Sequence, residues 1–407
     1  MLPLVRQAAL ILAVGCAVAL QAQPPIHRLD GSSLSAIEAN RIADKELKEN
    51  NVMGAQMAIL NAGHVVWTHV YGLRNPEKNL PMTADTNIWA ASITKGVFAA
   101  WVMHLVEQRR LDLDQPIAKI LKRPLNEYEP YRDSASGIVK DPRWPQVTPR
   151  ILLSHTSGIS NLIVSDEPDK KLHLHQKPGA RYYYSGDGLN VLQFAIEEEI
   201  IHEKLEEAMQ RDLFTPLGMT RSGLVWHEDF STDITGRYDA WGKYLDTTHR
   251  DHSRAAGSMA TTINDMVRFT EALLANKIIQ SATRAQMLTP QIKINGAHQF
   301  PNFATETSQE GPNVGLAYGL GWGLLTKTKF GPAFFKEGHG NGSENYIICF
   351  TKSNTCMIML TNSDNGELTF RPLFEQLIGD TVTPWEWEGY TREHILHNEE
   401  HTPPPAK

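Results

Sequence analysis

The sequence predicts an α/β (α+β) fold in which one antiparallel sheet combines strands from both ends of the chain. Two runs rich in β-type residues, 53–60 and 64–71, flank a turn at Asn61-Ala62-Gly63. Further strand-like runs lie near the C-terminal end, at 318–324, 333–336, 346–350 and 356–360. Between the two groups lie roughly 200 residues with mainly helical patterns, within the size range of one domain. We therefore expect helices to flank the sheet, with a mainly helical section inserted between its two halves.

Helical periodicity marks the elements outside the sheet. Apolar residues recur at helical spacing in five further stretches, 33–49, 117–121, 189–205, 263–275 and 370–377. The clearest helix follows Lys95, where Val97, Phe98, Trp101 and Leu105 would share one apolar face. Three segments lack periodicity, 122–150, 162–177 and 295–315. We expect these to be surface loops, with 162–177 forming a rim or lid.

Composition limits the classes of partner. A chain of 407 residues can bury one large core or two smaller ones. The net charge of −7 and the lack of a basic block with interleaved aromatic residues argue against a nucleic-acid partner. No later stretch is apolar enough for a membrane span, and the oligomeric state stays open.

Residues 1–22 have the features of a secretory signal peptide. Arg6 precedes an apolar run at 8–20, and Ala22 supplies a small residue at the cleavage site. We therefore expect cleavage, a folded domain at 23–380, a polar tail at 381–407, and a secreted or periplasmic location. A lipoprotein anchored through Cys16 is the alternative.

Cys349 and Cys356 remain after removal of residues 1–22. They could face each other across a hairpin and form a disulfide, or they could be two buried free thiols. The sequence leaves both arrangements open.

The first candidate for chemistry is Ser92-Ile93-Thr94-Lys95, an S-x-x-K pattern at the predicted start of the helix after Lys95. Residues three apart lie on one helix face, so the Lys95 amine can reach the Ser92 hydroxyl. A serine hydroxyl needs such a base or cation to become nucleophilic at neutral pH. The N–H groups at a helix N-terminus also suit a developing oxyanion. Together these features predict a nucleophilic serine.

Two later stretches offer further groups for the same site. Tyr184 lies in a loop before the helix at 189–205, and a phenol near a lysine ammonium would have a lowered pKa and could act as a base. Residues 337–342 lie where a strand should begin, and their glycines let a backbone edge approach a ligand closely. Such an edge can supply N–H groups to an oxyanion.

With these motifs in order, the chain resembles the penicillin-recognising serine hydrolases: class C β-lactamases, D-Ala-D-Ala carboxypeptidases and the related esterases and D-aminopeptidases. Ser92 to Lys95 is similar to the family's S-x-x-K, Tyr184-Ser185-Gly186 to its Y-S-N or Y-A-N, and His339-Gly340-Asn341 to its K/H-x-G. Flanking stretches at 152–158, 216–219 and 318–322 also match family markers. The resemblance covers about 52–377 and implies a β-lactamase/DD-peptidase-like fold.

The resemblance also implies roles for individual residues. Ser92 would be the acylated nucleophile, and Lys95 and Tyr184 would share the proton transfers. The N–H groups of Ser92 and Gly342 would form the oxyanion hole. The substrate would contact four residues, Ser185, His339, Gly340 and Asn341. No cofactor or metal would be needed, and the partner would be a small molecule or peptide with an amide or ester carbonyl.

The third motif has two conceivable registers. Lys336-Glu337-Gly338 also fits K-x-G. We prefer His339, because the family has an aromatic residue seven positions after the first motif residue and Tyr346 fits that spacing.

Two departures from the family's pattern affect the expected specificity. Gly186 stands where the tyrosine motif usually has an amide side chain, unless Asp187 or a water replaces that hydrogen bond. Asn341 stands where a glycine is usual. Histidine at 339 favours the esterase or D-Ala peptidase branches over a true β-lactamase, which stays the alternative.

Other classes fit the sequence less well. The histidine clusters at 173/175, 249/252 and 394/397/401 lack an H-E-x-x-H or H-x-H-x-D-H arrangement, which argues against a metal hydrolase. No serine lies in G-x-S-x-G, which argues against an α/β-hydrolase. A catalytically silent binding protein on the same fold remains the rival from another class.

Overall fold

The computed structural model describes residues 24–397 and residue 401. The predicted signal segment 1–22, with Arg6 and Cys16, lies outside these residues, as does most of 398–407. Within the described part, no helix combines the length and the apolar character that a bilayer crossing requires.

Fifteen strands are present in the described residues. In chain order they are β1 Ile26–His27, β2 Ser33–Leu34, β3 Gly54–Asn61, β4 His64–Asn75, β5 Leu80–Pro81, β6 Ile88–Trp89, β7 Arg237–Tyr238, β8 Tyr244–Asp246, β9 Ala260–Thr261, β10 Ile292–Lys293, β11 Leu316–Tyr318, β12 Gly323–Leu325, β13 Ala333–Gly340, β14 Ser343–Phe350 and β15 Thr355–Thr361.

Nine of these strands form one antiparallel sheet in the order β10-β11-β12-β13-β14-β15-β3-β4-β5. The C-terminal strand β15 pairs with the N-terminal strand β3, which joins the two ends of the chain as the sequence predicts. The one predicted strand at 318–324 is instead two, β11 and β12, because a loop at 319–322 reverses the chain between them.

Thirteen α-helices surround the sheet in the described part. They are α1 Ala36–Glu49, α2 Ile93–Glu107, α3 Ile117–Ile120, α4 Pro149–Leu153, α5 Ile163–Asp166, α6 Gly186–Ile196, α7 Leu205–Met209, α8 Ile263–Leu274, α9 Ser281–Met287, α10 Glu310–Val314, α11 Glu367–Ile378, α12 Trp385–Glu388 and α13 Arg392–Leu396. The helix predicted at 189–205 ends early, in a π-helical turn at Glu197–Ile201 followed by His202 in the left-handed conformation.

The sheet separates two hydrophobic cores. Alternate residues of a strand face opposite sides, so Ile347 and Cys349 of β14 join one core while Tyr346 and Ile348 join the other. The first core contains the nearly apolar helix α2 and most of the inserted helical section. The second contains α1, α11 and the aromatic residues of the C-terminal segment. Helix α2 is therefore buried against one face of the sheet, which fixes the residues at its N-terminus.

One stretch predicted to be a surface loop and one predicted to be a polar tail both contribute to the folded body. Segment 122–150 forms four short 3₁₀ turns that bury Leu125, Ile138 and Trp144 in the first core. The predicted tail at 381–407 begins with α12 and α13, which bury Trp385 and Trp387 in the second core. Both stretches are rich in polar residues, and their isolated apolar residues lack a period that could be recognised.

Cys349 and Cys356 form a disulfide across the β14–β15 hairpin. The two residues are direct partners in the ladder, with Cα atoms 4.1 Å apart. The register of the hairpin therefore decides between the two arrangements that the sequence left open.

Candidate active site

Ser92 lies immediately before α2, and its side chain does not cap the helix. Lys95, one turn later, places its Nζ atom 2.8 Å from Ser92 Oγ and also donates to the carbonyl oxygen of Ala256. Ala91 has a φ of 44°, a left-handed conformation that is uncommon for a residue with a side chain. This sharp turn brings the Ser92 hydroxyl to the wall of a cleft, beside the lysine amine.

The surroundings of Lys95 disfavour its charged form. Burial lowers the pKa of Lys95 well below its ordinary value, and the neighbouring Lys336 cation lowers it further. A neutral amine has a lone pair that can accept a proton. A neutral Lys95 amine could therefore accept the proton of the Ser92 hydroxyl while the Ser92 oxygen attacks a substrate.

Tyr184 lines the same cleft as Ser92, and its hydroxyl accepts a hydrogen bond of 3.1 Å from Lys336 Nζ. Burial raises the pKa of Tyr184 well above its ordinary value, the Glu337 carboxylate raises it further, and a hydrogen bond with Ser92 opposes the rise. The expectation of a lowered pKa is therefore wrong, because burial and the Glu337 carboxylate outweigh the hydrogen bond with Ser92. Tyr184 is a protonated phenol, suited to donating a proton.

The geometry of β13 contradicts our rejection of the register Lys336-Glu337-Gly338. Lys336 Nζ donates a hydrogen bond to the Tyr184 hydroxyl. A Cβ atom at Gly338 would lie 2.4 Å from the Ala90 carbonyl oxygen, so the strand approaches the start of α2 at that glycine. Asn341 lies in the turn beyond β13, away from this approach, so its side chain does not crowd α2. The spacing to Tyr346 misled the sequence argument.

The structure does not bring the N–H of Gly342 to the nucleophile, because it donates to the Asp364 carboxylate. A second candidate donor is the backbone N–H of His339. Its ladder partner Glu344 exchanges hydrogen bonds with Thr361 of β15, at 3.3 and 2.8 Å, so the backbone of Glu344 faces β15. Bonded and non-bonded pairs alternate in an antiparallel ladder, so the His339 N–H points away from β14, to the edge beside Ser92.

The Ser92 N–H has no hydrogen-bond acceptor among residues 24–397 and 401. Ser92 and His339 both line the cleft, so their backbone N–H groups are the two candidate donors. Two convergent N–H groups are what an oxyanion requires.

The remaining predicted contacts divide into two groups. Ser185 is fully buried and caps α6, accepting from the Gly188 N–H and donating to the Ser160 carbonyl, so it does not face the cleft. Gly340 and Asn341 do line the cleft near Ser92. Asn161 supplies the amide that Gly186 lacks: it lines the cleft, and its Oδ1 accepts the Gly186 N–H at 2.9 Å.

The His339 side chain lies between two buried carboxylates. Its Nδ1 is 3.0 Å from Glu344 and 3.3 Å from Glu367. Burial lowers the pKa of His339, but the two carboxylates outweigh it and raise the pKa well above its ordinary value. The two carboxylates thus favour the imidazolium form of His339.

Two groups of side chains in the described part have donor atoms close enough together to share a metal ion. One is His339 with Glu344 and Glu367, and the other is Glu167, Asp169 and His173 in the loop before α6. No sequence motif marks either group.

A loop that the sequence analysis treated only as polar surface positions Tyr184. The Asn302 side chain accepts from the Tyr184 N–H at 2.9 Å and donates to the Tyr184 carbonyl at 2.8 Å. Phe300 contacts the Tyr184 ring edge-on, and Gln299 donates to Glu337. These residues are about 115 positions from Tyr184 in the sequence, and no local pattern distinguishes them.

The cleft has two arms that meet at Ser92, Asn161 and His339. The tyrosine arm, about 300 Å³, is lined by Tyr184 and three carboxylic residues, Glu337, Glu367 and Glu388. The arginine arm, about 540 Å³, is lined by Lys95 and three arginines, Arg237, Arg250 and Arg254. A carbonyl held at Ser92 would thus have different surroundings on its two sides.

A family model described as Beta-lactamase matches residues 39–378. The esterase EstB of Burkholderia gladioli is 30% identical over 227 residues, which are 50% of this chain and 54% of that esterase. The putative penicillin-binding protein PbpX of Bacillus subtilis is 24% identical over 269 residues, covering 63% of this chain and 64% of that protein. The chain therefore spans about half to two thirds of the length of these curated relatives.

Solved structures share the fold. The octameric penicillin-binding protein homologue from Pyrococcus abyssi superposes with a TM-score of 0.66 at 23% identity, over 86% of this chain and 79% of that one. The β-lactamase/D-alanine carboxypeptidase from Pseudomonas syringae gives 0.64 at 17% identity, over 84% and 98%. At these identities the likeness concerns the fold alone.

Proposed function

Because the chain belongs to the Beta-lactamase family and is a serine hydrolase, we propose that it cleaves amide or ester substrates through an acyl-enzyme on Ser92. The observation that supports this most directly is the 2.8 Å separation of Lys95 Nζ and Ser92 Oγ in a cleft that also contains Tyr184. A neutral amine next to the hydroxyl and a protonated phenol across the cleft are a base and an acid in the places that acyl transfer requires.

Acylation uses both groups. Lys95 accepts the Ser92 proton while Oγ attacks the carbonyl carbon, and the N–H groups of Ser92 and His339 stabilise the oxyanion. The bond to the leaving group then breaks as Tyr184 gives its proton to the departing oxygen or nitrogen. Lys336, 3.1 Å from the tyrosine oxygen, stabilises the resulting phenolate.

Deacylation reverses these transfers. The Tyr184 phenolate accepts a proton from water, and the hydroxide adds to the acyl carbon. The protonated Lys95 returns its proton to Ser92 Oγ as the acid is released. One water is consumed, and both side chains regain their starting protonation states without a cofactor.

The leaving-group side favours an esterase over a β-lactamase or a D-Ala carboxypeptidase. The proton donor Tyr184 lies in the tyrosine arm, so the leaving group must point there. β-Lactams and D-Ala-D-Ala peptides carry a carboxylate next to the leaving nitrogen. Lys336 is already paired with Glu337 at 2.6 Å and His339 with two glutamates, so a substrate carboxylate would have to compete with protein carboxylates for these two side chains.

The test compares a short-chain 4-nitrophenyl ester with a chromogenic cephalosporin, using Ser92→Ala as the blank. We expect ester turnover, little cephalosporin turnover, and a Ser92-bound adduct of an irreversible serine-directed phosphonate by intact mass. Ser92→Ala should abolish turnover and adduct while leaving the circular dichroism spectrum unchanged. Turnover by Ser92→Ala would refute the assignment of the nucleophile. Fast cephalosporin turnover would identify a true β-lactamase. No turnover of either substrate and no adduct would favour a binding protein.

We also propose that the protein is exported after cleavage near residue 22. The support is the signal-like segment and the disulfide between Cys349 and Cys356, because disulfides persist in oxidising compartments. The intact mass of protein recovered from outside the cytoplasm tests this. A mass that includes residues 1–22 would contradict it.

A further inference from the structure

The arginine arm concentrates positive charge beside the nucleophile. Arg237, Arg250 and Arg254 line one cavity together with Ser92. The Arg237 and Arg250 guanidinium groups lie 4.9 and 4.7 Å from the centre of the Trp89 ring. The cavity of about 540 Å³ has room for an acyl chain of several carbons.

The three arginines differ in their partners. Arg237 makes a two-point salt bridge with Asp246, at 2.7 and 2.6 Å, and donates to the Asn341 carbonyl. The charge of Arg237 is therefore paired with a carboxylate, and its side chain holds the β13–β14 turn in place. Its role is structural support of the cavity wall.

Arg250 and Arg254 have no carboxylate within salt-bridge distance among the residues that the structure describes. The Arg250 Nε atom is buried without a hydrogen-bond acceptor. Burial lowers the pKa of Arg250, and the neighbouring Arg237 and Arg254 cations lower it further, while the more weakly acting Asp246 and Asp251 carboxylates oppose the shift. Two half-buried guanidinium groups thus repel each other at the edge of the site, which is a cost that a bound anion would offset.

The position of this charge identifies the part of the substrate that meets it. The leaving group must lie toward Tyr184, its proton donor, in the tyrosine arm. The acyl group attached to the same carbonyl therefore extends the other way, into the arginine arm. Guanidinium groups bind carboxylates with paired, charge-assisted hydrogen bonds.

Resting on the proposed function, we propose that Arg250 and Arg254 bind a carboxylate on the acyl group, so that the preferred substrates are monoesters or monoamides of dicarboxylic acids. Ser92 would become acylated by the half-acid, and its free carboxylate would lie between the two guanidinium groups. Hydrolysis would then release a dicarboxylic acid and the alcohol or amine.

The test uses two 4-nitrophenyl esters with the same adipoyl chain. In one, the far carboxylate of adipic acid is free and anionic; in the other, it is blocked as a neutral methyl ester. We expect the wild-type protein to show a kcat/KM for the anionic ester at least about 10-fold above that for the neutral one. Replacing both arginines, Arg250→Gln with Arg254→Gln, should reduce kcat/KM for the anionic ester by about 10- to 100-fold, mainly through KM. The kcat/KM for the neutral ester should change less than about 3-fold, and this retained activity also shows that the variant folds.

Two controls sharpen the comparison. Arg132→Gln removes an exposed arginine of the inserted section and should leave both rates unchanged. Arg250→Lys keeps a charge without the paired geometry and should retain part of the preference. Equal rates for the two esters in the wild-type protein, or a preference that survives in the double variant, would overturn the inference.

A separate measurement distinguishes failure of this inference from failure of the proposed function. Calorimetry follows binding of adipic acid mono-4-nitroanilide to Ser92→Ala, with and without the two arginine substitutions. Binding that depends on both arginines supports the anion site even if neither ester is hydrolysed. Absence of binding to Ser92→Ala, or binding that the substitutions leave unchanged, overturns it.

Discussion

Two buried lysines share the environment of one tyrosine. Lys95 and Lys336 each place Nζ 5.0 Å from the centre of the Tyr184 ring. Lys336 has the Glu337 carboxylate at 2.6 Å, which stabilises its charge, whereas Lys95 has only the Ser92 hydroxyl and a backbone carbonyl. Burial lowers the pKa of both lysines, but the shift is larger for Lys95, and at Lys336 the hydrogen-bonded Glu337 carboxylate opposes it. The unequal partners therefore favour the charged form more at Lys336 and the neutral form more at Lys95.

This separation predicts the pH dependence of ester hydrolysis. Lys95 must be neutral to act as a base, so kcat/KM should rise with pH through its pKa, which burial and Lys336 place well below 10.5. Tyr184 must keep its proton, and its pKa lies well above 10.0, so no alkaline loss is expected below that pH. A profile of kcat/KM against pH for a neutral ester measures both the rise at acid pH and any loss at alkaline pH.

The variant Lys336→Gln tests whether the Lys336 cation lowers the pKa of Lys95. Removing this cation should move the acid limb to higher pH, because the repulsion that lowers the pKa of Lys95 is lost and Glu337 is left to raise it. The exposed Lys327→Gln serves as the matched control and should leave the limb in place. An acid limb that does not move in Lys336→Gln would assign the base to another group.

The hairpin of β13 and β14 is the element that assembles the site. It presents Lys336 to Tyr184 and the His339 N–H to the cleft, and it is fastened to the segment before Ser92. Ser343 Oγ and Asn345 Nδ2 both donate to the Trp89 carbonyl, at 2.6 and 3.1 Å. The spacing between this strand and α2 therefore depends on side chains of the hairpin itself.

Gly338→Ala tests that spacing. The new Cβ would lie 2.4 Å from the Ala90 carbonyl oxygen and 3.2 Å from the Ile93 nitrogen, so the hairpin must move away from α2. We expect kcat/KM for the ester to fall at least about 10-fold and the free energy of unfolding to fall by about 1–3 kcal/mol. Urea denaturation and ester kinetics measure the two effects.

Gly137→Ala is the matched control, since its Cβ would have no atom nearer than 3.6 Å. It should change neither quantity. Wild-type kinetics in Gly338→Ala would mean that the strand is farther from α2 than the structure has it.

At the scale of the whole molecule, the sheet joins the two ends of the chain and the inserted helices cover one of its faces. Strands β15 and β3 are adjacent although some 300 residues separate their paired positions, such as Cys356 and Leu60. Closing so long a loop costs conformational entropy that burial in the two cores must offset. The disulfide lies at this junction, because Cys356 belongs to β15.

Removing the disulfide should affect stability and not chemistry. In Cys349→Ala with Cys356→Ala, we expect the free energy of unfolding to fall by about 2 kcal/mol, since the bond closes only a short loop. The ester kcat/KM should stay within about 2-fold of the wild type, because neither cysteine lines the cleft. Denaturation of the wild-type protein with and without reductant provides the comparison. A fully folded double variant with reduced ester hydrolysis would contradict the prediction.

Local patterns determined much of this protein from sequence alone. Local patterns predict α1, α2, α8 and α11 as well as β3, β4, β13, β14 and β15, because they depend only on neighbouring residues. Likewise, S-x-x-K needs only one helical turn to bring Ser92 and Lys95 together, and the order of motifs was enough to indicate the family.

The tertiary structure decided what depends on residues distant in the chain. The register of β13 against α2 selects Lys336 and Gly338 over the motif at His339, because strand position is fixed by packing against α2 and β14. Burial reverses the expected pKa shift of Tyr184, since desolvation depends on everything that surrounds the ring. Arg250 and Arg254 stand in a polar segment with no motif, and only the folded chain brings their charges to Ser92.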